Sequence, residues 1–291
     1  MRLAYIGGNG MLGRDVLAAA VERGIDAVGL DLPELDITNP DSIRAALPEV
    51  DVVINGAAFT RVDDAEREIE MARRINADGA GHVATVCAER GIRLLHISTD
   101  YVFDGRKNAA YAEDDAASPL SVYGMTKWQG ELLVRAASTQ ALIVRTQSLY
   151  GLNGRNFIKA ILNQVIQGKR TLTVVSDQVS SPTYTRHLAE ALLALAPLAD
   201  AGVVHAASRG SCSWFRFAEE ILAMCGIRSV QVSPMKSEEL KYPAPRPAYS
   251  VLATDLYTQW TGALMPTWQD GLRAYLREEP MAVQAIEASR R

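Results

Sequence analysis

Tyr123 and Lys127 stand four residues apart in the run Ser121-Val122-Tyr123-Gly124-Met125-Thr126-Lys127. On a helix, residues four apart share a face one turn apart, so the lysine ammonium is expected near the phenol. A neighbouring positive charge favours the phenolate and pulls a tyrosine pKa below its ordinary value of about 10. A phenol so placed can give or take a proton near neutral pH. The same pair also suits a plain amphipathic surface helix, and Tyr-x-x-x-Lys alone does not choose between the two. Upstream, Ser98-Thr99-Asp100-Tyr101 offers hydroxyls and a carboxylate directly after the apolar run Leu94–Ile97. Hydroxyls at the C-terminal end of a parallel strand sit where ligands bind.

The elements that must position these groups begin at the N-terminus. Leu3–Ile6 reads as a short buried strand. Gly7-Gly8-Asn9-Gly10-Met11-Leu12-Gly13 follows at once, and Leu12, Val16, Leu17, Ala20 and Val21 then recur at helical spacing up to Gly24. Strand, glycine turn and helix are the setting a dinucleotide fingerprint requires. Glycine lets the backbone approach a pyrophosphate, and the helix start supplies free N–H groups and a positive dipole end. A mere tight turn is the competing reading. A second strand, Ala27–Leu30, ends at Asp31, 18 positions after Gly13, close to where an acid bonds an adenosine ribose. Asp31 also fits a loop acid or the cap of a turn before Pro33. Asp36 and Ile37 are expected at the floor of an adenine pocket.

The third strand, Asp51–Ile54, runs into Asn55-Gly56-Ala57-Ala58-Phe59-Thr60, whose small residues would let a cofactor cross the strand end. Residues 62–90 read as mostly helical, with Asn76 inside as a possible brace for the site. Leu94–Ile97 and Leu142–Arg145 complete five strand–helix alternations, which indicate βαβ units and a parallel sheet. After Arg145 the pattern becomes irregular: a helix over 157–167, a polar loop over 177–183, and the proline-rich run Tyr242–Pro247. The expectation is an α/β protein: a Rossmann-like doubly wound sheet over residues 1–145 and a smaller substrate-binding lobe over 146–291, interleaved in one compact unit.

Composition narrows the class. Of 291 residues, 48% are hydrophobic and 22% charged, the net charge is -4 and the pI about 5.7. That balance gives no reason to expect a nucleic-acid or membrane partner. No apolar stretch approaches the length of a membrane span, and the four apolar residues before Gly7 are too few for a signal peptide. Cys87, Cys212 and Cys225 are odd in number and widely spaced, which argues for reduced thiols and a cytoplasmic location. His82, His96, His187 and His205 show no ligand spacing and read as structural or surface residues; no metal site is expected.

Taken together, these parts resemble the extended short-chain dehydrogenase/reductase superfamily, where a Ser/Thr, a Tyr and a Lys act beside a nicotinamide. Ser98-Thr99-Asp100-Tyr101-Val102-Phe103, Asp177-Gln178 with Pro182-Thr183, Arg246-Pro247-x-Tyr249-Ser250-Val251-Leu252 and Pro266-x-Trp268 look like the dTDP-4-dehydrorhamnose reductase family within it. The resemblance implies reduction by NADP or NAD, in reduced form, of the position-four carbonyl of a nucleotide-linked 4-keto-6-deoxy sugar. It implies Tyr123 as proton donor, Thr99 as holder of the carbonyl oxygen, and Lys127 on the nicotinamide ribose. The cofactor would lie on Gly7, Asn9, Gly10, Met11, Leu12, Gly13, Asp31, Asp36, Ile37, Ala57, Ala58, Thr60, Ser98, Tyr123 and Lys127. The small-molecule nucleotide-sugar would meet Val62, Asp63, Thr99, Asp100, Tyr101, Ser148 and Asn156, with Gln178 and Arg246 facing the nucleotide and diphosphate. A monomer or homodimer is expected.

Two departures matter. Related dehydratases carry Thr-Asp-Glu where this chain has Thr99-Asp100-Tyr101, which favours simple reduction over dehydration. The reductases typically have Arg-Thr-x-Trp after the fifth strand, whereas this chain has Arg145-Thr146-Gln147-Ser148, and Ala253 replaces their usual Asp or Asn. The missing tryptophan, replaced by Ser148, leaves the sugar identity open. The chain also resembles the NADP-binding regulatory subunit of methionine adenosyltransferase, a non-catalytic partner protein, and the Tyr/Lys pair does not separate the two.

Overall fold

In the computed structural model, which describes residues 1–290, the apolar runs become parallel strands joined by helices. β1 (Arg2–Ile6), α1 (Met11–Glu22) and β2 (Asp26–Leu30) come first. α2 (Pro40–Ala46) then leads to β3 (Val52–Asn55). The next crossover contains α3 (Val62–Ala65), α4 (Ile69–Arg73), a π-helical turn over Arg74–Gly79 and α5 (Ala80–Glu89), and it leads to β4 (Arg93–Thr99). α6 (Val122–Ala137) precedes β5 (Leu142–Thr146). The helix starts have local causes. Proline opens α2 with Asn39 Oδ1 accepting the Asp41 and Ser42 N–H groups, and Ser121 Oγ accepts the Gly124 N–H at 3.2 Å to start α6.

The second half of the chain is less regular. It contains β6 (Leu149–Tyr150), α7 (Phe157–Ile166), β7 (Thr171–Val175), β8 (Val179–Ser180), β9 (Thr183–Tyr184), α8 (Thr185–Leu195) and β10 (Gly202–His205). β11 (Cys212–Ser213), α9 (Trp214–Met224), β12 (Gln231–Met235), α10 (Asp255–Thr261), α11 (Trp268–Glu278) and α12 (Pro280–Ser289) follow. The segment 177–183, expected as a loop, holds β8 and the start of β9, which pair with β11 and β6 on either side of Pro182.

The main sheet runs β10-β5-β4-β3-β1-β2, parallel throughout. Its inner strands are buried on both faces, so they read as continuous apolar runs rather than alternating ones. One face packs on α1 and α8, the other on α2 and α5. Winding reverses at β1, between β2 and β3, and a ligand crevice is expected outside the strand ends there. The sixth strand, β10, and the helix α8 come from beyond residue 146, so the sheet is not confined to residues 1–145. α7, β7, α9, α11 and α12 close a separate aromatic-rich core around Tyr150, Phe217 and Tyr275. All three cysteines are free and buried, and among the described residues no helix is long and apolar enough to cross a membrane.

One buried ion pair ties the sheet to the helix carrying Tyr123 and Lys127. Arg145 on β5 donates from Nε and Nη2 to Glu131 on α6 at 2.9 and 2.7 Å, and Ser98 Oγ on β4 donates to the same carboxylate at 2.5 Å. Removing one partner of such a pair strands a charge in the interior and costs about 3–5 kcal/mol, while replacing both by apolar groups costs far less. Glu131→Ala is therefore expected to lower folding stability by about that amount, and Glu131→Met with Arg145→Met by less than the single change. Urea midpoints at constant slope read both; a double variant as unstable as the sum of the singles contradicts the account.

Candidate active site

At the switch point lies a cleft of about 670 Å³ lined by the ends of β1, β3, β4 and β5. Its floor is the glycine turn. A Cβ at Gly13 would come within 2.5 Å of the Gly7 carbonyl oxygen, so only glycine lets α1 begin this close to β1. α1 has Gly10 as its N-cap, with no side-chain cap and no acidic residue in its first turn. Its leading N–H groups are left for an anion. Gly7, Gly10, Met11, Leu12 and Gly13 line the cleft, as do Asp31, Asp36, Ile37, Ala57, Ala58 and Thr60. Asn9 instead lines an adjoining recess with Gly8 and Glu34. Asp31 ties the two strand ends: its carboxylate accepts the Asn9 N–H at 2.9 Å and the Leu32 N–H at 2.9 Å. The loop-acid and ribose readings therefore coexist in one residue, since Asp31 also borders the cleft.

The groups for chemistry line the same cleft: Ser98, Thr99, Asp100, Tyr101, Tyr123 and Lys127. Thr99 Oγ1 accepts the Tyr101 N–H at 3.2 Å and donates to Asp100 Oδ1 at 3.1 Å, fixing the short turn after β4. Gly124 lets α6 press on that turn, because a Cβ there would lie 2.2 Å from the Tyr101 carbonyl oxygen. Asn76, in the π-helical turn, is buried and donates to the Phe59 carbonyl and to Thr126 Oγ1, each at 3.1 Å, while accepting the Phe59 N–H at 2.8 Å. It clamps the β3 loop to α6.

Electrostatics differ from the expectation in one respect. Burial pushes the Tyr123 phenol up to about 12, with the neighbouring Thr99 hydroxyl opposing and the Asp100 charge adding to the rise. Lys127 does not reach the phenol. Its Nζ donates to the Ile97 carbonyl at 2.6 Å and lies 3.5 Å from His96 Nε2. Helical spacing puts both residues on one face, but the long lysine chain turns down to the β4 backbone. Burial pulls Lys127 down to about 8 against the favourable charge of Glu131.

Four residues expected at the substrate have other partners. Asp63 and Arg246 pair with each other, at 2.7 and 3.0 Å, and Arg246 also stacks 4.1 Å from the Tyr242 ring centroid. Asn156 caps α7, with Oδ1 accepting the Lys159 N–H at 3.0 Å and Nδ2 donating to the Gly151 carbonyl. Gln178 donates to Ser237 Oγ at 2.9 Å. These four do not line the cleft, whereas Val62, Tyr101 and Ser148 do. Ser148 has φ +47, and its Oγ is 2.8 Å from Ser180 Oγ. Sequence reasoning missed Arg155, a cleft-lining cation beside Asn156, whose signal was a basic residue in a Gly/Asn loop. It also missed Glu131, whose signal was its position one turn beyond Lys127. Among the described residues no group of three or more His, Cys, Asp or Glu side chains is placed to hold a metal ion.

A doubly wound parallel sheet with a glycine turn at its switch point, and a Thr–Tyr–Lys cluster on the next strand and helix, defines the extended short-chain dehydrogenase/reductase fold. Within it, the chain belongs to the family described as the RmlD substrate binding domain, whose model matches residues 1–281. It is 37% identical to the spore coat polysaccharide biosynthesis protein SpsK of Bacillus subtilis, over 97% of this chain and 99% of that protein. It is 41% identical to the dTDP-4-dehydrorhamnose reductase of Mycobacterium tuberculosis, over 94% of this chain and 92% of that one. The crystal structure of Bacillus anthracis dTDP-4-dehydrorhamnose reductase in complex with NADP superposes with a TM-score of 0.89 at 35% identity, covering 95% and 99% of the two chains.

Asp100 generates a test of this electrostatic picture. Burial raises its carboxyl to about 6, against hydrogen bonds from Ser250 and Thr99. A carboxyl whose folded pKa lies above its unfolded value penalises the folded state when ionised; the penalty is absent well below the unfolded pKa and complete above the folded one. Asp100→Asn is thus expected to be more stable than wild type by about 2–3 kcal/mol at pH 8. The gap should shrink as pH falls through 6 and vanish only below about 3. Urea melts across that range check it; a gap independent of pH contradicts the assignment.

Proposed function

We propose that this protein reduces the position-four carbonyl of a dTDP-linked 4-keto-6-deoxy sugar with NADPH or NADH, its most direct reaction being dTDP-4-dehydrorhamnose to dTDP-rhamnose. The observation that carries the reading is the placement of the Thr99 hydroxyl and the Tyr123 phenol together on the cleft wall, with Lys127 one turn further and the uncapped α1 start lining the same cleft. The uncapped helix, the Gly13 close approach and Asp31 fit a dinucleotide, and Thr60 and Lys127 would hold its nicotinamide half. When bound, the reduced nicotinamide supplies the hydride.

The chain's own groups do the rest. A phenol whose pKa is raised keeps its proton at neutral pH, which suits Tyr123 to donate to the carbonyl oxygen as negative charge grows there. Thr99 can turn its hydroxyl from Asp100 to the same oxygen, adding a second donor aimed at that charge. Val62 and Tyr101 form the sugar wall. The family resemblance implies an indole where this chain has Ser148, and an aromatic ring there would bury 150–250 Å² in general, so Ser148 leaves space for a different sugar. The Asp31 carboxylate opposes a 2′-phosphate, while Arg14, held 3.1 Å from the Asn9 carbonyl beside it, offsets that charge. We infer that both cofactors serve, with catalytic efficiencies within about 100-fold of each other. Three buried free thiols suit a reducing cytoplasm, and a monomer or homodimer suffices, because no site residue has to come from a second chain.

The test is oxidation of reduced cofactor in the presence of dTDP-4-keto-6-deoxy sugars. Tyr123→Phe is expected to lower turnover by about 100- to 10,000-fold while cofactor affinity, read by fluorescence quenching, stays near wild type. Turnover within threefold of wild type removes Tyr123 as proton donor. A wild-type protein that binds cofactor but reduces no nucleotide-sugar would instead be a non-catalytic binding module.

A further inference from the structure

Behind Lys127 lies a short buried line of polar groups that the proposed reduction does not use. Asn55, His96 and Lys127 are each at most 2% exposed. The backbone settles which way the Asn55 amide points: its Oδ1 accepts the Ala57 N–H at 3.2 Å, and its Nδ2 therefore faces His96 Nδ1, 3.3 Å away. An amide nitrogen only donates, so Nδ1 must accept. Burial holds the His96 pKa well below its usual range, and the ring is neutral with a single proton. With Nδ1 accepting, that proton is on Nε2, the atom 3.5 Å from Lys127 Nζ.

Lys127 thus meets a carbonyl acceptor on one side, Ile97 O at 2.6 Å, and an N–H donor on the other. A neutral amine satisfies both, donating to the carbonyl and accepting from the ring. An ammonium has no lone pair to accept with. The charged group on its own helix is Glu131, which favours the ammonium but is already bound by Arg145 from β5 and Ser98 from β4. Tyr123 and Asp100 face the same cleft, and no charged group other than Glu131 shifts Lys127.

We propose that Asn55 and His96 are positioning residues for Lys127: the amide fixes the imidazole as its Nε2–H tautomer, and that N–H stabilises the lysine as a neutral amine. Lys127 then keeps one N–H for Ile97 and one for the cleft, and its charge switches within the working pH range. A proton-consuming reduction served by such a lysine loses efficiency on the alkaline side as the lysine discharges. The kinetic consequence rests on the reductase reading; the tautomer is a property of the free protein.

Long-range proton–nitrogen spectra of the free protein read the tautomer directly, with the His96 signals identified by their loss in His96→Gln. A protonated Nε2 and a bare Nδ1 are expected from about pH 6 to 9; a protonated Nδ1 overturns the proposal. Asn55→Asp keeps the acceptor for Ala57 but presents an acceptor to Nδ1. The tautomer should flip, and the Lys127 titration, followed through its Cε resonance, should rise by about one pH unit or more. The same change in a His96→Leu background measures the effect of the added charge alone. A shift as large without the ring as with it overturns the proposal, and a larger shift with the ring supports it. In the enzyme assay the alkaline limb of kcat/KM should move with the Lys127 titration. If the spectra behave as expected but wild type reduces no nucleotide-sugar, the reductase reading fails while the tautomer assignment stands.

Discussion

The buried carboxylate of Glu131 holds three elements in register. It takes two hydrogen bonds from Arg145 on β5 and one from Ser98 on β4, while sitting on α6 one turn beyond Lys127. Ser98 is the residue before Thr99, and Lys127 is one turn beyond Tyr123, so this anchor sets the distance between the threonine on the strand and the tyrosine on the helix. An ion pair taken out of water contributes little net stability once desolvation is counted. Its use here is geometric: alternative packings of α6 on the sheet would leave a charge unpaired in the interior. The Arg145 guanidinium also lies against the rings of Phe103 and Trp128, which excludes water from the network and sharpens that penalty.

The floor of the cleft is built by a different principle. There, side chains are absent where they would intrude, and the backbone does the work. Gly13 and Gly7 approach too closely for a Cβ, and α1 starts without a capping side chain. A polar cap would satisfy the N–H groups that a phosphate is meant to find. The site thus pairs a backbone cradle that is pre-charged with a side-chain cluster that is desolvated. Desolvation raises Tyr123 and lowers Lys127, so the phenol keeps its proton at neutral pH while the lysine titrates near the working range.

Much of this was legible in the sequence. The five apolar runs and the glycine turn identified the parallel sheet and its nucleotide turn, because strands buried on both faces need continuous apolar residues and the phosphate turn needs glycine. Tyr123, Lys127 and Thr99 were legible from spacing and from the strand end. What spacing could not give was direction. Four-residue separation places Lys127 on the face of Tyr123, but whether a flexible ammonium turns to the phenol or to a backbone carbonyl depends on neighbours on another strand, His96 and Ile97. A strand over 203–206 is readable in the sequence, but the same gap hid that it joins the main sheet as its sixth strand, β10. Gly202–His205 is a four-residue run in an irregular region, and only its pairing with β5 assigns it to the main sheet.

The substrate side was least legible, and the reason is pairing between distant segments. Asp63 and Arg246 were each read as facing the ligand, on the sound premise that a carboxylate and a guanidinium in irregular chain seek a polar partner. They found each other, 183 residues apart in sequence, in a bidentate contact at 3.0 and 2.7 Å that also holds the Ala244 N–H. This straps the proline-rich run to α3, next to Val62 on the cleft wall. Arg246 is only partly shielded, so the pair contributes modestly to stability. Its effect is to hold the stiff segment, with the aromatic ring of Tyr242 stacked on Arg246, beside α3. Proline limits how far that segment can relax, so the strap also restrains α3 and the neighbouring Val62 of the cleft wall.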